Sequence, residues 1–227
     1  MKFNIITIFP HIFDSYLNES ILKRAQKKNL IQIKIHNLRD FTKDKHKKVD
    51  DKPYGGGAGM VFKIEPIIRA ASSIKRQASG EKIKIILFSP AGKQFNNKIA
   101  AQLAKNYKHL ILICGRYEGI DERVKKVFRG SGFNFHELSI GPYVLTGGEL
   151  PAMVLIDAVS RQIPGVLGKQ ESLEEKRFGI GAPAYTRPEV IVWKGKKYPV
   201  PKILLSGNHK KIEEWRKKLL LFLPVFV

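Results

Sequence analysis

Apolar runs of strand length alternate with amphipathic segments of helical length through the first 163 residues. Strands are predicted at Lys2–Phe9, Leu30–Leu38, Ile83–Phe88, Leu110–Cys114 and Phe135–Leu138. Helical spacing of apolar side chains predicts helices over residues 11–28, Ile64–Ser79, Asn96–Lys105, Ile120–Phe128 and Leu150–Ile163. Because strands and helices alternate, the sequence predicts an α/β domain with a mainly parallel sheet over residues 1–163.

The rest of the chain differs in composition from this domain. Residues 164–186 have no apolar period and contain glycine and proline, which predicts a flexible interdomain linker. Residues 187–227 hold a predicted basic helix, Lys210–Leu223, and we interpret them as a small helical domain that binds nucleic acid. Residues 221–227 are apolar and end the chain early, so a truncated form of this domain is an alternative.

The charge of the chain favours a polyanionic partner. There are 41 Lys and Arg residues against 20 Asp and Glu, a formal net charge of +21. A source with lysine-rich proteins throughout is the alternative explanation. The single cysteine excludes an internal disulfide framework, and no apolar run is long enough to span a bilayer. We therefore expect a cytoplasmic protein without a membrane segment.

Three glycine-containing segments follow predicted strands or loops: Ser89–Gly92, Gly115–Asp121 and Ile140–Glu149. In a parallel sheet, ligands bind beyond the carboxyl ends of the strands, where glycine lets backbone approach a ligand closely. Each segment alone could be an ordinary turn, but three together favour a shared pocket. The run Gly55–Gly59 follows a charged loop instead of a strand, so it does not fit a dinucleotide-binding loop. The histidines and the cysteine lack metal-ligand spacing, and no metal site is predicted.

Longer motifs resemble those of one enzyme family. They are Asp44–His46 with Val49–Met60, Cys114–Arg123, Tyr143–Ala152 and Tyr185–Glu189. In this order they resemble the bacterial tRNA (guanine-N1)-methyltransferases of the SPOUT class. The resemblance runs from the first strand to about Lys218, which is nearly the whole chain.

The resemblance implies a fold and an activity. The α/β domain would contain a deep trefoil knot, which is rare among proteins, and would be joined by a linker to a small helical C-terminal domain. The enzyme would be a homodimer with shared active sites. It would transfer a methyl group from S-adenosylmethionine to N1 of guanosine 37 of tRNA, next to the anticodon. The alternative is a degenerate relative that binds tRNA or S-adenosylmethionine without efficient turnover.

The resemblance also implies a donor pocket, carried over position by position. Magnesium is a further cofactor that the family suggests. Pro142 stands where an acidic residue is common in the family. The implied pocket residues are Leu87, Ser89, Pro90, Gly92, Gly115, Tyr117, Glu118, Ile140, Gly141, Pro142, Tyr143, Val144, Leu145, Gly147, Gly148 and Pro151.

Methylation at guanine N1 requires a base, because N1 carries a proton. The family uses a linker aspartate, but an ungapped alignment places Lys176 at that position. An ordinary lysine is protonated at neutral pH and cannot accept a proton. Glu175 and Glu174 are therefore both candidate bases, which the sequence does not rank. Arg161 matches the family arginine suited to stabilising the negative charge that develops on O6.

Overall fold

The computed structural model describes residues 1–78, 80–168, 173 and 181–221. The chain divides into two compact units, residues 1–167 and residues 168–227. The first unit is an α/β layered structure around a five-stranded sheet in which every strand pair is parallel. This finding confirms the predicted α/β class with a mainly parallel sheet.

The sheet has the strand order β2-β1-β6-β5-β7. Its strands are β1 (Lys2–Thr7), β2 (Gln32–Asn37), β5 (Ile83–Gln94), β6 (His109–Ile113) and β7 (Phe135–Ser139). The short strands β3 (Asp50–Asp51) and β4 (Val61–Phe62) form a separate antiparallel pair inside the predicted 39–60 loop and just beyond it. The helices are α1 (Asp14–Leu17), α2 (Ser20–Lys27), α3 (Ile64–Gln77), α4 (Asn97–Asn106), α5 (Arg123–Gly130) and α6 (Glu149–Arg161).

Helices cover both faces of the sheet. Since neighbouring residues of a strand point to opposite sides, each strand contributes side chains to the apolar cluster on either face. Along β6, Leu110 and Leu112 belong to one buried apolar cluster, whereas Ile111 and Ile113 belong to the other. The first cluster is closed by α2, α4 and α6, and the second by α3 and α5. The continuous apolar runs of the sequence therefore correspond to strands that are buried on both faces.

The predicted helix over residues 11–28 is broken into three pieces. A 3₁₀ turn spans Pro10–Phe13, and α1 and α2 follow it as separate helices. Ser20 adopts a φ of +48°, which is unfavourable for a side chain other than glycine. The Asn18 side chain donates a hydrogen bond to the Asp14 carbonyl at 2.9 Å and satisfies the end of α1. The helical spacing was real, but the chain turns between the two helices.

The strand predicted at Ile83–Phe88 continues to Gln94. Its pairing with β7 shifts register between Phe88 and Lys93, so residues 89–92 form an irregular stretch inside β5 and not a turn after it. Such an irregularity bends a strand and redirects its side chains. The prediction that Ser89–Gly92 ends the strand was therefore wrong.

The second unit contains a β-hairpin that the prediction of a helical domain missed. Strands β8 (Val190–Trp193) and β9 (Lys196–Pro199) pair antiparallel, with Lys194 and Gly195 at the turn. A short helix, Lys202–Leu205, and a longer one, His209–Leu221, follow the hairpin. The longer helix lies where the basic helix Lys210–Leu223 was predicted. Within the part of the chain that the structure describes, no helix is long and apolar enough to cross a membrane.

Candidate active site

One cavity of about 370 Å³ lies beside the irregular stretch inside β5 and the segments that follow β6 and β7. Fourteen of the sixteen predicted pocket residues line it: Leu87, Ser89, Pro90, Gly115, Tyr117, Glu118, Ile140, Gly141, Tyr143, Val144, Leu145, Gly147, Gly148 and Pro151. The three glycine segments thus meet in space, and the two that follow β6 and β7 do so at the carboxyl ends of strands, as expected for a parallel sheet.

The two remaining predicted residues, Gly92 and Pro142, do not line the cavity. A Cβ atom on Gly92 would lie 2.6 Å from the carbonyl carbon of Leu138. Gly92 therefore permits β5 to approach β7, and the structure gives it a packing reason instead of a place in the cavity. Pro142 lies between two lining residues, Gly141 and Tyr143, without being one itself.

The two loops at the centre of the cavity hold each other in place. The Gly148 amide donates a 2.9 Å hydrogen bond to the Gly115 carbonyl, and Gly147 forms an isolated antiparallel bridge with Arg116. A Cβ atom on Gly148 would lie 2.6 Å from the Cα atom of Cys114. A methyl group at this crossing would force one of the two backbone segments to shift, so glycine fits best. Cys114 is 1% exposed beneath it, and burial raises the pKa of its thiol well above the usual range.

The Ile140–Gly148 loop is shaped by its own side chains. The Ser139 hydroxyl donates to the Gly141 carbonyl at 2.9 Å and lies 3.3 Å from the Gly141 amide. The Tyr143 hydroxyl donates to the Ile140 carbonyl at 3.2 Å, and its ring lies against Gly141. These contacts leave little room for other loop conformations, so the cavity wall is largely preformed.

The end of the glycine-rich segment and β4 hold the Gly115–Asp121 segment in place without lining the cavity themselves. The Glu118 amide donates to the Met60 carbonyl at 3.1 Å, and the Phe62 amide donates to the Gly119 carbonyl at 3.0 Å. Tyr117 adopts a φ of +58° and packs edge-on against the Phe62 ring. A strained backbone at a cavity-lining residue is typical of functional sites.

Sequence reasoning missed several cavity-lining residues with charged or polar side chains. Lys125 forms ion pairs with Glu122 at 2.8 Å and with Glu137 at 3.0 Å, and all three line the cavity. Glu137 lies directly opposite Leu87 in the β5–β7 pairing, a neighbourhood that no local motif reveals. The other unpredicted lining residues are Phe88, Arg116, Gly119, Ile120, Leu138, Ser139 and Thr146.

The predicted catalytic residues lie apart from this cavity or outside the described residues. Arg161 is the last residue of α6, whose first residue, Glu149, directly follows the cavity loop. At 1.5 Å per residue, Arg161 lies about 18 Å along the helix axis from Glu149. Glu174, Glu175 and Lys176 fall among residues whose placement the structure does not describe. Within the described ranges, no group of three or more His, Cys, Asp or Glu side chains could hold a metal ion.

Comparison with known proteins identifies the family. A profile described as tRNA (Guanine-1)-methyltransferase TrmD matches residues 1–221. The chain is similar to proteins named tRNA (guanine-N(1)-)-methyltransferase. The relative in Dictyoglomus turgidum is 54% identical over 221 residues, which cover 96% of this chain and 84% of that protein. The relative in Carboxydothermus hydrogenoformans is 51% identical over 229 residues, covering 100% of this chain and 85% of its own length. This chain therefore belongs to the tRNA (guanine-1)-methyltransferase TrmD family.

Proposed function

We propose that this protein transfers a methyl group from S-adenosylmethionine to N1 of guanosine 37 of tRNA, next to the anticodon. The observation that carries the proposal is the cavity formed by three glycine segments in a member of this family. Its volume of about 370 Å³ lies in the range of small-molecule sites. Backbone at Gly115, Gly141 and Gly147 lines the cavity, where its N–H and C=O groups suit hydrogen bonding to a nucleoside. S-adenosylmethionine, when bound, supplies an electrophilic methyl group.

We assign the proton transfer to a linker carboxylate. Glu175 or Glu174 would remove the proton from guanine N1, in place of the aspartate that Lys176 replaces. Arg161 would stabilise the negative charge that spreads to O6. Arg161 lies about 18 Å along α6 from Glu149, which follows the cavity loop, so we infer that it serves the cavity of another protomer.

We propose a homodimer for this reason, in which Arg161 of one protomer serves the donor cavity of its partner. An exposed apolar surface on the first unit supports this arrangement. It consists of Ile12 and Tyr16 beside Leu150 and Val154 of α6, and the Tyr16 hydroxyl donates to Asp157 at 2.5 Å. Exposed apolar surface that continues along a helix is typical of protein interfaces. The trefoil knot that the resemblance implies belongs to the same proposal.

We assign tRNA binding chiefly to the positively charged surface and the second unit. A formal net charge of +21 suits a polyanionic substrate and predicts binding that weakens with salt. The hairpin exposes Trp193 and Tyr198 beside Lys196 and Lys197, and aromatic rings next to lysines are typical of surfaces that bind single-stranded RNA. We place residues 187–227 in a tRNA-binding domain after a 164–186 linker, and we expect the enzyme in the cytoplasm. We assign no step to magnesium.

Methyl transfer to defined transcripts tests the proposal. The protein is incubated with radiolabelled S-adenosylmethionine and a tRNA that carries guanosine at positions 36 and 37. We expect label in 1-methylguanosine at position 37, and none when guanosine 37 is replaced by adenosine. Binding of both substrates without transfer would instead favour the degenerate relative that binds without turnover.

A further inference from the structure

Glu149 is a buried carboxylate that the proposed reaction does not use. It is 1% exposed, it follows the Ile140–Gly148 loop directly, and it is the first residue of α6. A carboxylate at a helix N-terminus is favoured by the helix dipole, but its burial requires further partners. Glu149 does not itself line the cavity.

The two oxygens of Glu149 have partners on two different elements. Oε1 accepts a 2.8 Å hydrogen bond from the Thr7 hydroxyl at the end of β1. Oε2 accepts a 2.9 Å hydrogen bond from Nε of Arg116, in the segment after β6. The carboxylate therefore joins three segments of the chain at the edge of the cavity.

Phe9 closes these contacts into a ring. Its amide donates to the Thr7 hydroxyl at 3.0 Å, and the Arg116 guanidinium lies 4.8 Å from the centre of its aromatic ring. Thr7 thus accepts from Phe9 and donates to Glu149, which in turn accepts from Arg116. Arg116 is the member of the ring that lines the cavity. Glu149 holds Nε of the Arg116 side chain, and the Phe9 ring packs against one face of its guanidinium group.

We propose that Glu149 is a positioning residue for the donor site and that it acts through Arg116 and through the adjoining Gly147 and Gly148. A Cβ atom on Gly147 would meet both the Arg116 side chain and Oε2 of Glu149, so the loop packs directly on this ion pair. The Arg116–Glu149 ion pair therefore holds in place both the Gly147–Gly148 wall of the cavity and the positive charge of Arg116. A preorganised wall binds a ligand more tightly, because less conformational freedom is lost on binding.

Thr7 provides the sharpest test, because it is fully buried and does not line the cavity. Thr7→Val keeps the shape of the side chain and removes the hydroxyl, whereas Thr7→Ser keeps the hydroxyl. We expect Thr7→Val to raise the Kd for S-adenosylmethionine about tenfold, the scale of a lost hydrogen bond to a charged group. Thr7→Ser should stay within about twofold of the parent, because it retains that bond.

The experiment measures Kd by calorimetry at a temperature where every variant is folded, and kcat at saturating donor. Thr42→Val is the matched control, since the Thr42 hydroxyl donates to the Arg39 carbonyl at 2.8 Å in another part of the unit. A positioning role raises Kd with little change in kcat, whereas a purely structural role lowers the melting temperature and leaves Kd unchanged. Should Thr7→Val not fold, Glu149→Gln replaces it, with the same expected rise in Kd.

The inference rests on the proposed function, and the two fail differently. If the parent protein does not bind S-adenosylmethionine, the proposed function is wrong. If the parent binds it and Thr7→Val or Glu149→Gln binds it equally well, the positioning role of Glu149 is wrong.

Discussion

Gly148 shows how strictly one residue can determine the shape of the site. Its backbone passes the backbone of Cys114 so closely that a Cβ atom would lie 2.6 Å from the Cα atom. The atoms that this Cβ would meet belong to the backbone of Cys114 and Gly115, and not to the flexible end of a side chain. An added methyl group must therefore displace either the cavity loop or the segment after β6.

We expect Gly148→Ala to weaken S-adenosylmethionine binding at least tenfold and to destabilise the fold by about 1–3 kcal/mol, the usual cost of overpacking. Gly130→Ala is the matched control, because Gly130 ends α5 with open space around it and no positive φ. That substitution should be neutral or stabilising by up to about 1 kcal/mol. Calorimetric titration and urea unfolding check both variants, and equal donor affinity for the two would contradict the geometry.

A polar network that joins β1, β2 and β6 makes stability depend on pH. Asn4 accepts a 2.8 Å hydrogen bond from Nε2 of His36 and donates one to Nε2 of His109. Nε2 of His109 is therefore an acceptor, and the neutral ring carries its proton on Nδ1, which lies 3.5 Å from Glu81. Burial is the main cause that lowers the pKa of both histidines.

Because the folded protein lowers these pKa values, it binds fewer protons than the unfolded chain just below the unfolded pKa of about 6.5. The free energy of unfolding should be highest above that pH and should fall as the pH drops towards the folded pKa values. Urea unfolding at pH 7.5 and pH 5.5 measures the difference, and His109→Gln should reduce it by removing one titrating group. Stability that is equal at both pH values would contradict this account.

Which cavity residues could be predicted depended on where each one lies in the chain. Gly115, Gly141 and Gly147 belong to segments that follow strands, so the carboxyl-end rule and the family motifs located them. Glu137 reaches the cavity only through the pairing of β7 with β5, which depends on residues distant in the sequence. Gly92 belongs to a segment that lines the cavity, but it does not line the cavity itself. Its lack of a side chain allows β5 to pack closely against β7.

At the scale of elements, the hairpin of the second unit carried a local signal that was overlooked. Lys194 and Gly195 adopt φ values of +49° and +74°, the conformation of a tight hairpin turn. They stand between a run of β-branched and aromatic residues and the strand Lys196–Pro199, which is a hairpin pattern. The sequence analysis predicted only the helix Lys210–Leu223 in this part of the chain, and a helix is present at His209–Leu221.

One face of this hairpin combines aromatic and basic side chains. Ile191 pairs with Tyr198 and Trp193 pairs with Lys196, so these four side chains share a face. Trp193 is 65% exposed, and Nζ of Lys196 lies 5.5 Å from the centre of the Tyr198 ring. A two-stranded sheet with exposed apolar side chains gains stability when a partner covers it.

We expect Trp193→Ala to weaken tRNA binding by about 1–3 kcal/mol, the contribution of one base stacked on an aromatic ring. Donor affinity should stay at the parental value. Val192→Ala is the control on the opposite face of the hairpin, and it should bind tRNA as the parent does. Filter binding at fixed salt measures both, and an equal loss for the two variants would indicate a general effect on the hairpin fold.

At the scale of the whole molecule, helix α6 separates two groups that the proposed reaction needs together. The Ile140–Gly148 loop precedes Glu149, and Arg161 ends the helix about 18 Å away along its axis. The sequence predicted this helix as Leu150–Ile163, within two residues of its observed bounds, but no local pattern predicts the association of two chains. The expected dimer rests on this separation and on the exposed apolar surface beside α6.

Complementation between two impaired variants tests the shared site. Arg161→Ala leaves the donor cavity intact, and Gly148→Ala leaves Arg161 intact, so a mixed dimer contains one complete site of two. Co-expression with two different tags isolates that mixed dimer, which should show about half of the parental activity. Arg161→Ala alone should be nearly inactive, and Gly148→Ala alone should lose at least about tenfold in rate when the donor concentration is well below the parental Kd. A mixed dimer without activity would mean that both groups act within one chain.

Because Cys114 is buried under Gly148, its chemical reactivity reports the motion of the backbone that covers it. It is the one cysteine in the sequence, and its thiol reacts with an alkylating reagent only while the backbone above it has moved away. The alkylation rate therefore measures how often the Ile140–Gly148 loop moves away from Cys114. It reports on a timescale of seconds to hours and needs no introduced probe. A ligand that occupies the cavity should slow this reaction, in proportion to the fraction of time for which it holds the loop closed.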